Sequence, residues 1–301
     1  SPYTFPHCTT VQWGKVYGLT NKTGIAQSAD ITAILEDASG SSRIIDTAIS
    51  YEKAETVLGE QKVDSMSFRL VTKTRPLEPS INSHSSVVEN FGKDFQNSLK
   101  NLNAKKIYGL MIHNPKDLLG PHGEILWSEM LKLKKRNLVC KIGCSFYTPD
   151  QFFCLNKRFD LELIQFPYNI YDQRYIDSGI AEVAVSRNIE VHLRSIFLQG
   201  LLLLPPEKLS NHFKGIRKLH QSLTELSKET NLSSLSLALR FALDTQFNEK
   251  LIIGTETLSQ WREIKALADL KFDKDDYLTS RLKTFGINDS KIINPSNWRG
   301  I

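Results

Sequence analysis

Four side chains with complementary chemistry lie at the ends of three apolar segments in the first half of the chain. Asp46 and Tyr51 belong to IIDTAISY, Lys73 ends FRLVTK, and His113 ends YGLMIH. An ammonium group near a phenol stabilises the phenolate and makes a tyrosine, whose pKa is ordinarily about 10, a better acid. A carboxylate keeps the lysine charged, and a neutral histidine can hold a carbonyl oxygen. Such a set can protonate the alkoxide that forms when hydride reaches a carbonyl carbon.

Each of these residues also has an ordinary structural explanation. Asp46 could cap a strand end, and Tyr51 could pack on the following helix. Lys73 could be paired or extended towards solvent, and His113 could be a hydrogen-bonded core histidine. The four residues in this order are much less expected by chance than any one of them.

The elements that must position these residues alternate along the chain. Strands are predicted at 9–13, 44–48, 68–73, 108–113, 139–145, 161–169, 189–195 and 250–255. Helices are predicted at 28–38, 52–59, 85–101, 125–136, 148–155, 176–187, 232–243 and 258–270. Eight strand–helix units with near-continuous apolar strands predict an α/β fold, a (β/α)8 TIM barrel. An extra C-terminal helix is predicted at 274–285. In a barrel, the four side chains converge on the mouth at the carboxyl ends of the strands.

Length and composition fit one barrel domain over residues 1–301. Hydrophobic residues make up 41% and charged residues 24% of the chain, and the net charge is +5. This charge is too mild and too scattered to predict nucleic-acid binding, and no apolar run is long enough to predict a membrane helix. Four cysteines without ligand spacing predict reduced thiols and no metal site. We therefore expect a cytoplasmic protein that is a monomer or a weak homo-oligomer.

The run DTAISYEKAETVLGE resembles the aldo-keto reductase signature DTAxxYGxAExxLG. Further segments follow in the family's order, among them SLKNLNAKKIYGLMIHNP, IGCSFYTPDQF, LIQFPYN, RSIFLQGLLLL and LIIGTETLSQWRE. The resemblance implies a (β/α)8 barrel that uses NADPH or NADH. It also implies a catalytic tetrad of Asp46, Tyr51, Lys73 and His113.

No GxGxxG motif occurs in the sequence, which argues against a Rossmann domain, so the cofactor residues are those that the resemblance implies. Ser145 and Gln165 would bind the nicotinamide carboxamide. Arg194, followed by Ser195, occupies the position where the family has a tyrosine that stacks on the nicotinamide, and Phe146 replaces the usual asparagine. The remaining implied cofactor residues are Leu198, Gln199 and Gly200 along the pyrophosphate path, with Gly254, Thr255, Gln260 and Glu263 near the adenosine.

The choice between NADP(H) and NAD(H) stays open at this point. Positions that often carry Lys or Arg for the 2′-phosphate are Gly254, Glu256 and Gln260 here. An acidic Glu256 suits a free ribose 2′-hydroxyl better than a phosphate. Arg262 would compensate if its side chain turned back towards the site.

The leading hypothesis is NAD(P)H-dependent reduction of an aldehyde or ketone, a small aldehyde or a sugar-type carbonyl, with Tyr51 as general acid. A second is an aldolase in which Lys73 forms a Schiff base. A third is a nucleotide-binding regulatory barrel that resembles the reductase-like β subunits of potassium channels. Turnover of an aldehyde separates the first hypothesis from the third.

Overall fold

Eight parallel strands close into a barrel in chain order, each paired with the strand before it, and β8 pairs with β1. The computed structural model describes residues 6–39, 44–66, 68–80, 83–245, 247, 249–270 and 276–298. The strands are β1 His7–Thr9, β2 Ile44–Asp46, β3 Arg69–Lys73, β4 Ile107–Ile112, β5 Val139–Ser145, β6 Leu163–Pro167, β7 Glu190–Arg194 and β8 Lys250–Gly254. The predicted (β/α)8 TIM barrel is confirmed.

Helices surround the barrel between the strands. They are α1 Val11–Gly14, α2 Ser28–Ser39, α3 Ala54–Glu60, α4 His84–Asn101, α5 Pro115–Leu119, α6 Gly123–Lys135, α7 Pro149–Asn156, α8 Arg174–Asp177, α9 Ile180–Ser186, α10 Arg217–Thr230, α11 Ser234–Leu243, α12 Leu258–Asp269, α13 Asp276–Lys283 and α14 Ser290–Ile293. Several begin where a side chain caps them. Thr148 and Gln151 form a capping box at the start of α7, and Thr257 accepts a hydrogen bond from the Gln260 N–H at the start of α12.

The predicted first strand was wrong in its bounds. The prediction covered residues 9–13, whereas β1 is His7–Thr9 and the following VQWG forms the helical turn α1. Periodicity does not distinguish a short apolar strand from a buried helical turn. The turn is favoured here because it buries Trp13, whose Nε1 donates a 3.1 Å hydrogen bond to the Thr255 carbonyl after β8.

The long segment after β7 contains structure that the sequence analysis did not predict. Short 3-10 turns at Leu198–Leu203, Pro206–Lys208 and Asn211–Ile216 lead into α10. This helix is mostly polar, but its buried residues His220, Leu223 and Leu226 recur at helical spacing on one face. The extra C-terminal helix is present as α13, while residues 274 and 275 of its predicted range lie outside the described residues.

Three layers fill the barrel interior. The middle layer is an apolar cluster of Ile44, Val71, Met111, Leu163 and Ile252. Polar residues occupy the carboxyl end of the strands, where the candidate active site lies.

The opposite end of the barrel carries a second polar cluster, which the sequence analysis missed. There the Glu190 carboxylate accepts hydrogen bonds from Tyr108, Lys141 and His192. The Arg69 guanidinium lies 5.0 Å from the centroid of the Tyr108 ring. A charged layer therefore closes the end of the barrel that faces away from the candidate site.

Candidate active site

Asp46 and Lys73 form a buried ion pair at the ends of β2 and β3. Lys73 Nζ lies 2.7 Å from both Asp46 carboxylate oxygens and 2.9 Å from the Thr47 carbonyl oxygen. Both residues are only 1% exposed. Burial lowers the pKa of Lys73, and the Asp46 carboxylate opposes that shift. All three protons of the ammonium group have an acceptor, which fixes its position beneath the cavity.

Tyr51 and His113 lie next to this pair. Lys73 Nζ is 5.2 Å from the centroid of the Tyr51 ring. The His113 ring meets the Tyr51 ring edge to face, with centroids 5.8 Å apart and an interplanar angle of 83°. The four residues predicted from three neighbouring strands are therefore brought together at one end of the barrel.

His113 is set up to stay neutral. Burial, together with the positive charges of Lys73, Arg194 and Lys15, lowers its pKa to about 3. Its Nδ1 lies 3.0 Å from Ser50 Oγ. When Ser50 donates this hydrogen bond, the proton of the neutral ring is on Nε2, and that N–H can donate to a carbonyl oxygen.

The electrostatic environment of Tyr51 differs from the expectation that Lys73 lowers its pKa. Burial raises the pKa of Tyr51, and the Asp46 carboxylate raises it further. The cation that lowers this pKa is Arg194. Because Lys73 is paired with Asp46, its positive charge is largely cancelled at the phenol. Tyr51 is consequently held in its protonated form.

A cavity of about 540 Å³ extends from these residues across the mouth of the barrel. Its size is in the range of small-molecule sites. Thirteen of the predicted site residues line it: Asp46, Tyr51, His113, Ser145, Gln165, Arg194, Ser195, Gln199, Gly200, Gly254, Thr255, Gln260 and Glu263. Lys73 lies behind Asp46 and does not line the cavity. Leu198 is fully buried in the hydrophobic core and does not line the cavity either.

Gln165 is already engaged within the site. Its side-chain amide donates a 2.9 Å hydrogen bond to Asp46 Oδ1. Thr9 Oγ1 lies 3.2 Å from the other oxygen of the same carboxylate. Asp46 thus organises residues from β1, β3 and β6, and the predicted carboxamide ligand Gln165 is part of this network.

The Arg194 guanidinium forms a planar part of the cavity wall. Its guanidinium lies 4.6 Å from the centroid of the Tyr147 ring and donates hydrogen bonds to Ser195 Oγ and to the Phe146 carbonyl oxygen. A stacked guanidinium presents a planar face, as a tyrosine ring would. Phe146 itself points away from the cavity and packs on Phe166.

The loop after β7 adopts an unusual backbone conformation. Ser195, Leu198, Gln199 and Gly200 have φ values of 61°, 47°, 53° and 88°. The backbone N–H groups of Leu198 and Gly200 donate to the Ser195 and Phe197 carbonyl oxygens, so hydrogen bonds within the loop hold this conformation. The Gln199 amide also donates a 2.7 Å hydrogen bond to the Tyr17 hydroxyl, which joins this loop to the loop after β1.

The end of β8 is acidic in character. Glu256 and Glu263 line the cavity, and the side-chain oxygen of Gln260 accepts a 2.9 Å hydrogen bond from the Glu256 N–H. Arg262 is 64% exposed and its Nε lies 3.7 Å from Asp37 Oδ1. Arg262 therefore faces α2 instead of the cavity and does not compensate for the missing basic residues.

Several lining residues escaped the sequence analysis: Gln12, Lys15, Tyr17, Ser50 and Tyr147. They lie on loops and turns, where hydrophobic periodicity carries no information. Gln12 Oε1 is buried and has no hydrogen-bond partner among the described residues. An unpaired buried carbonyl oxygen on a cavity wall is suited to a ligand that donates a hydrogen bond.

A (β/α)8 barrel with a polar site at the carboxyl ends of its strands is an architecture that many families of enzymes share. The family model described as the aldo/keto reductase family matches residues 17–281, and the chain belongs to that family. Aldo-keto reductases act on small carbonyl substrates with NAD(P)H.

Solved structures similar to this chain share the fold. The glycerol dehydrogenase AKR11B4 from Gluconobacter oxydans is 19% identical, with a TM-score of 0.69 over 95% of this chain and 92% of that one. The holo form of the aldo-keto reductase AKR11C1 from Bacillus halodurans is 17% identical, with a TM-score of 0.72 over 94% and 92% of the two chains. The thermostable aldo-keto reductase Tm1743 in complex with the inhibitor epalrestat is 19% identical, with a TM-score of 0.68 over 93% and 94%.

None of the curated proteins matches the chain in sequence. Within the part of the chain that the structure describes, no helix has the length and apolar character needed to cross a membrane. No group of three or more His, Cys, Asp and Glu side chains among those residues is arranged to hold a metal ion.

Proposed function

We propose that the protein reduces an aldehyde or ketone to the alcohol with a nicotinamide cofactor, and that Tyr51 is the general acid. The observation that carries this proposal is the arrangement around the tyrosine. A protonated Tyr51 lies beside a neutral His113 at one end of the cavity, above the buried Asp46–Lys73 pair. A proton donor and a second neutral hydrogen-bond donor are what a carbonyl oxygen needs when it becomes an alkoxide.

The roles of the four residues follow from their contacts. His113 Nε2 holds the carbonyl oxygen, and Tyr51 donates its proton to that oxygen as negative charge develops. Arg194 stabilises the phenolate that is left, while the charge of Lys73, close to the Tyr51 ring, is largely offset by Asp46. Asp46 keeps Lys73 protonated and fixed, so the charges are in place before the reaction.

The cavity residues fit a nicotinamide dinucleotide. The bound cofactor would supply the hydride. Ser145 and Gln165 offer a hydroxyl and a carboxamide near Tyr51, and the planar face of Arg194 can support a flat ring. The loop after β7 borders the cavity at Ser195, Gln199 and Gly200, on the side where the family resemblance places the pyrophosphate. Gln12 adds an unpaired carbonyl oxygen.

For the nucleotide itself, we propose that NADH serves as a hydride donor. Glu256 and Glu263 line the β8 end of the cavity, while Arg262 pairs with Asp37 outside it. A 2′-phosphate carries nearly two negative charges and requires a well-placed cation. These acidic residues instead favour a free ribose hydroxyl.

The Schiff-base alternative loses its support. A lysine nucleophile must be neutral and must face the substrate. Lys73 Nζ donates to Asp46 and Thr47, and Lys73 does not line the cavity. Only a measurement of carbonyl turnover distinguishes the reductase from the nucleotide-binding regulatory barrel.

The test is steady-state reduction of a panel of aldehydes and keto-sugars with NADH and with NADPH, for the wild type and Tyr51→Phe. We expect turnover in the wild type and a loss of about a hundredfold or more in kcat in the variant. Nucleotide affinity, measured by fluorescence titration, should be nearly unchanged because the ring remains. A wild type that binds nucleotide but reduces no carbonyl would support the regulatory barrel. A variant with an unaltered hydride-transfer rate would remove Tyr51 as the acid.

A further inference from the structure

A lysine that the catalytic proposal does not use lies beside Tyr51. Lys15 follows α1, lines the cavity, and places its Nζ 6.0 Å from the centroid of the Tyr51 ring. Its backbone N–H donates a 3.1 Å hydrogen bond to the Val11 carbonyl oxygen, which anchors it to the turn. The backbone of Lys15 is therefore fixed, and its side chain lies at the end of the cavity where Tyr51 is.

The turn that carries Lys15 has little freedom to move. Trp13 is 1% exposed and its Nε1 donates to the Thr255 carbonyl oxygen. Gly14 packs so tightly that a Cβ atom there would come within 1.9 Å of the Tyr51 carbonyl oxygen. Because α1 packs directly against the backbone of Tyr51, the positions of the Lys15 and Tyr51 backbones are fixed relative to each other.

Positive charge is in excess at this end of the cavity. Lys73 and Asp46 cancel each other. Lys15 and Arg194 form no ion pair with any carboxylate among the described residues, and both act on His113 as positive charges. The other carboxylates that line the cavity, Glu256 and Glu263, follow β8, and neither acts on the protonation of Tyr51 or His113.

Arg194 and Lys15 differ in how many contacts already hold their side chains. The Arg194 guanidinium is stacked on Tyr147 and hydrogen-bonded to Ser195 and to the Phe146 carbonyl oxygen. No side-chain hydrogen bond of Lys15 is present among the described residues, and its flexible stem can follow a bound group. Lys15 is therefore the cation available to the substrate.

We propose that the carbonyl substrate carries an anionic group, a carboxylate or a phosphate, a few bonds from the carbonyl carbon, and that Lys15 binds this group. This inference rests on the proposed carbonyl reduction and names its substrate class. A charged group opposite Lys15 would neutralise the excess charge and orient the carbonyl carbon below the acid. Neutral aldehydes of the same size lack this contact.

The experiment compares aldehydes with and without an anionic group. Two matched pairs are used: 4-oxobutanoate against butanal, and glyceraldehyde 3-phosphate against glyceraldehyde. We expect kcat/KM of the wild type to favour the anionic member of at least one pair by about tenfold or more, the size of a charge-assisted hydrogen bond. Preference in the first pair alone indicates a carboxylate, and preference in the second alone indicates a phosphate.

Three variants assign the effect to Lys15. Lys15→Met should lower the anionic-to-neutral ratio of kcat/KM by about tenfold, mainly through KM of the anionic substrate. Lys15→Arg should retain most of the ratio because it keeps the charge. Lys22→Met is the matched control, since Lys22 is exposed in the same loop and does not line the cavity. It should leave the ratio at the wild-type value.

The outcomes separate this inference from the function on which it rests. If the wild type binds nucleotide but reduces none of the four compounds or the wider aldehyde panel, the proposed function fails. If it reduces neutral and anionic members equally well and Lys15→Met does not move the ratio, the function stands and the anionic substrate class is wrong. If Lys15→Met instead weakens nucleotide binding and leaves the ratio intact, Lys15 serves the phosphates of the cofactor, which also overturns the inference.

Discussion

The Gln165 side-chain amide donates a hydrogen bond to Asp46 Oδ1 at 2.9 Å. This contact joins a residue that the family resemblance gives to the nicotinamide with the carboxylate that holds Lys73. Asp46 is buried, and each of its carboxylate oxygens has at least two polar neighbours. Removing any partner therefore leaves a buried charge less well satisfied.

The Asp46–Lys73 pair should be costly to break and cheaper to remove as a whole. We expect Lys73→Met to lower the free energy of unfolding by about 3–5 kcal/mol, because Asp46 is left as an unpaired buried charge. The double variant Asp46→Asn/Lys73→Met should recover much of this loss and remain inactive. Urea unfolding and kcat of the same samples check both statements.

A Lys73→Met protein as stable as the wild type would show that Asp46 is protonated or solvated without its partner. Recovery of activity in the double variant would show that the ion pair does not serve the acid. The two readouts separate a structural from a catalytic contribution of the pair.

Arg194 should tune the acidity of Tyr51. Arg194 lowers the pKa of Tyr51, so its removal raises that pKa further and leaves less phenolate at any given pH. Alcohol oxidation needs the phenolate as base, and we expect Arg194→Gln to slow it about tenfold below that pKa. The pH profile of kcat for alcohol oxidation should move to higher pH.

Arg194→Lys is the control for charge, because it keeps the cation but loses the planar stack on Tyr147. It should retain the position of the pH profile. Nucleotide affinity is measured alongside, since Arg194 also lines the predicted nicotinamide site. An unmoved profile in Arg194→Gln with weaker nucleotide binding would restrict Arg194 to binding.

The strands and the helices next to them were predictable because apolar segments buried on both faces have a clear composition. The conformation of the segment VQWG was not predictable, since four consecutive buried residues fit a strand and a helical turn equally well. Helix α10 was predictable and was missed: its sequence, RKLHQSLTELSKET, is mostly polar, but His220, Leu223 and Leu226 recur at helical spacing.

Within the site, motif residues were placed together as predicted, while their electrostatic relations were not. Because Lys73 is paired with Asp46, its positive charge does not lower the pKa of Tyr51 as the sequence analysis expected. Arg194 finds its partner Tyr147 across two strands, and sequence separation gives no sign of this contact. The contacts of Lys15 and Ser50 likewise depend on loop geometry.

The cluster at the other end of the barrel should make a measurable contribution to stability. Burial by itself would raise the pKa of Glu190, but hydrogen bonds from His192, Lys141 and Tyr108 outweigh it and hold that pKa well below its usual range. We expect Glu190→Gln to lower the free energy of unfolding by about 2 kcal/mol at pH 7, since hydrogen bonds to a charged group are lost.

The sign of the pH dependence follows from the lowered pKa. Glu190 stabilises the fold fully above its unfolded pKa, near 4.5, and this contribution is lost as the pH falls below it. The difference in free energy of unfolding between wild type and Glu190→Gln should therefore be about 1 kcal/mol smaller at pH 4 than at pH 7. Urea unfolding at both pH values measures it, with the exposed Glu207→Gln as control. A difference that widens at low pH would contradict the assigned charge.

The nucleotide preference should respond to one residue after β8. Glu256 and Glu263 line the cavity there, and Arg262 is turned towards Asp37. We expect the wild type to use NADH and to discriminate for NADPH less than is usual in the family, because Glu256 repels a 2′-phosphate at short range. Glu256→Arg should raise the preference for NADPH by about 1–2 kcal/mol, as judged from kcat/KM with each nucleotide.

The control for this substitution is Glu207→Arg, which makes the same change of charge at an exposed position outside the cavity. It should leave the ratio of the two kcat/KM values at the wild-type level, since a distant surface charge is screened by salt. If both variants raised the ratio equally, the effect would belong to net charge and not to Glu256. A wild type that selects NADPH strongly and does not respond to Glu256→Arg would place the 2′-phosphate on another loop. In that case, the acidic end of β8 would face away from the adenosine ribose.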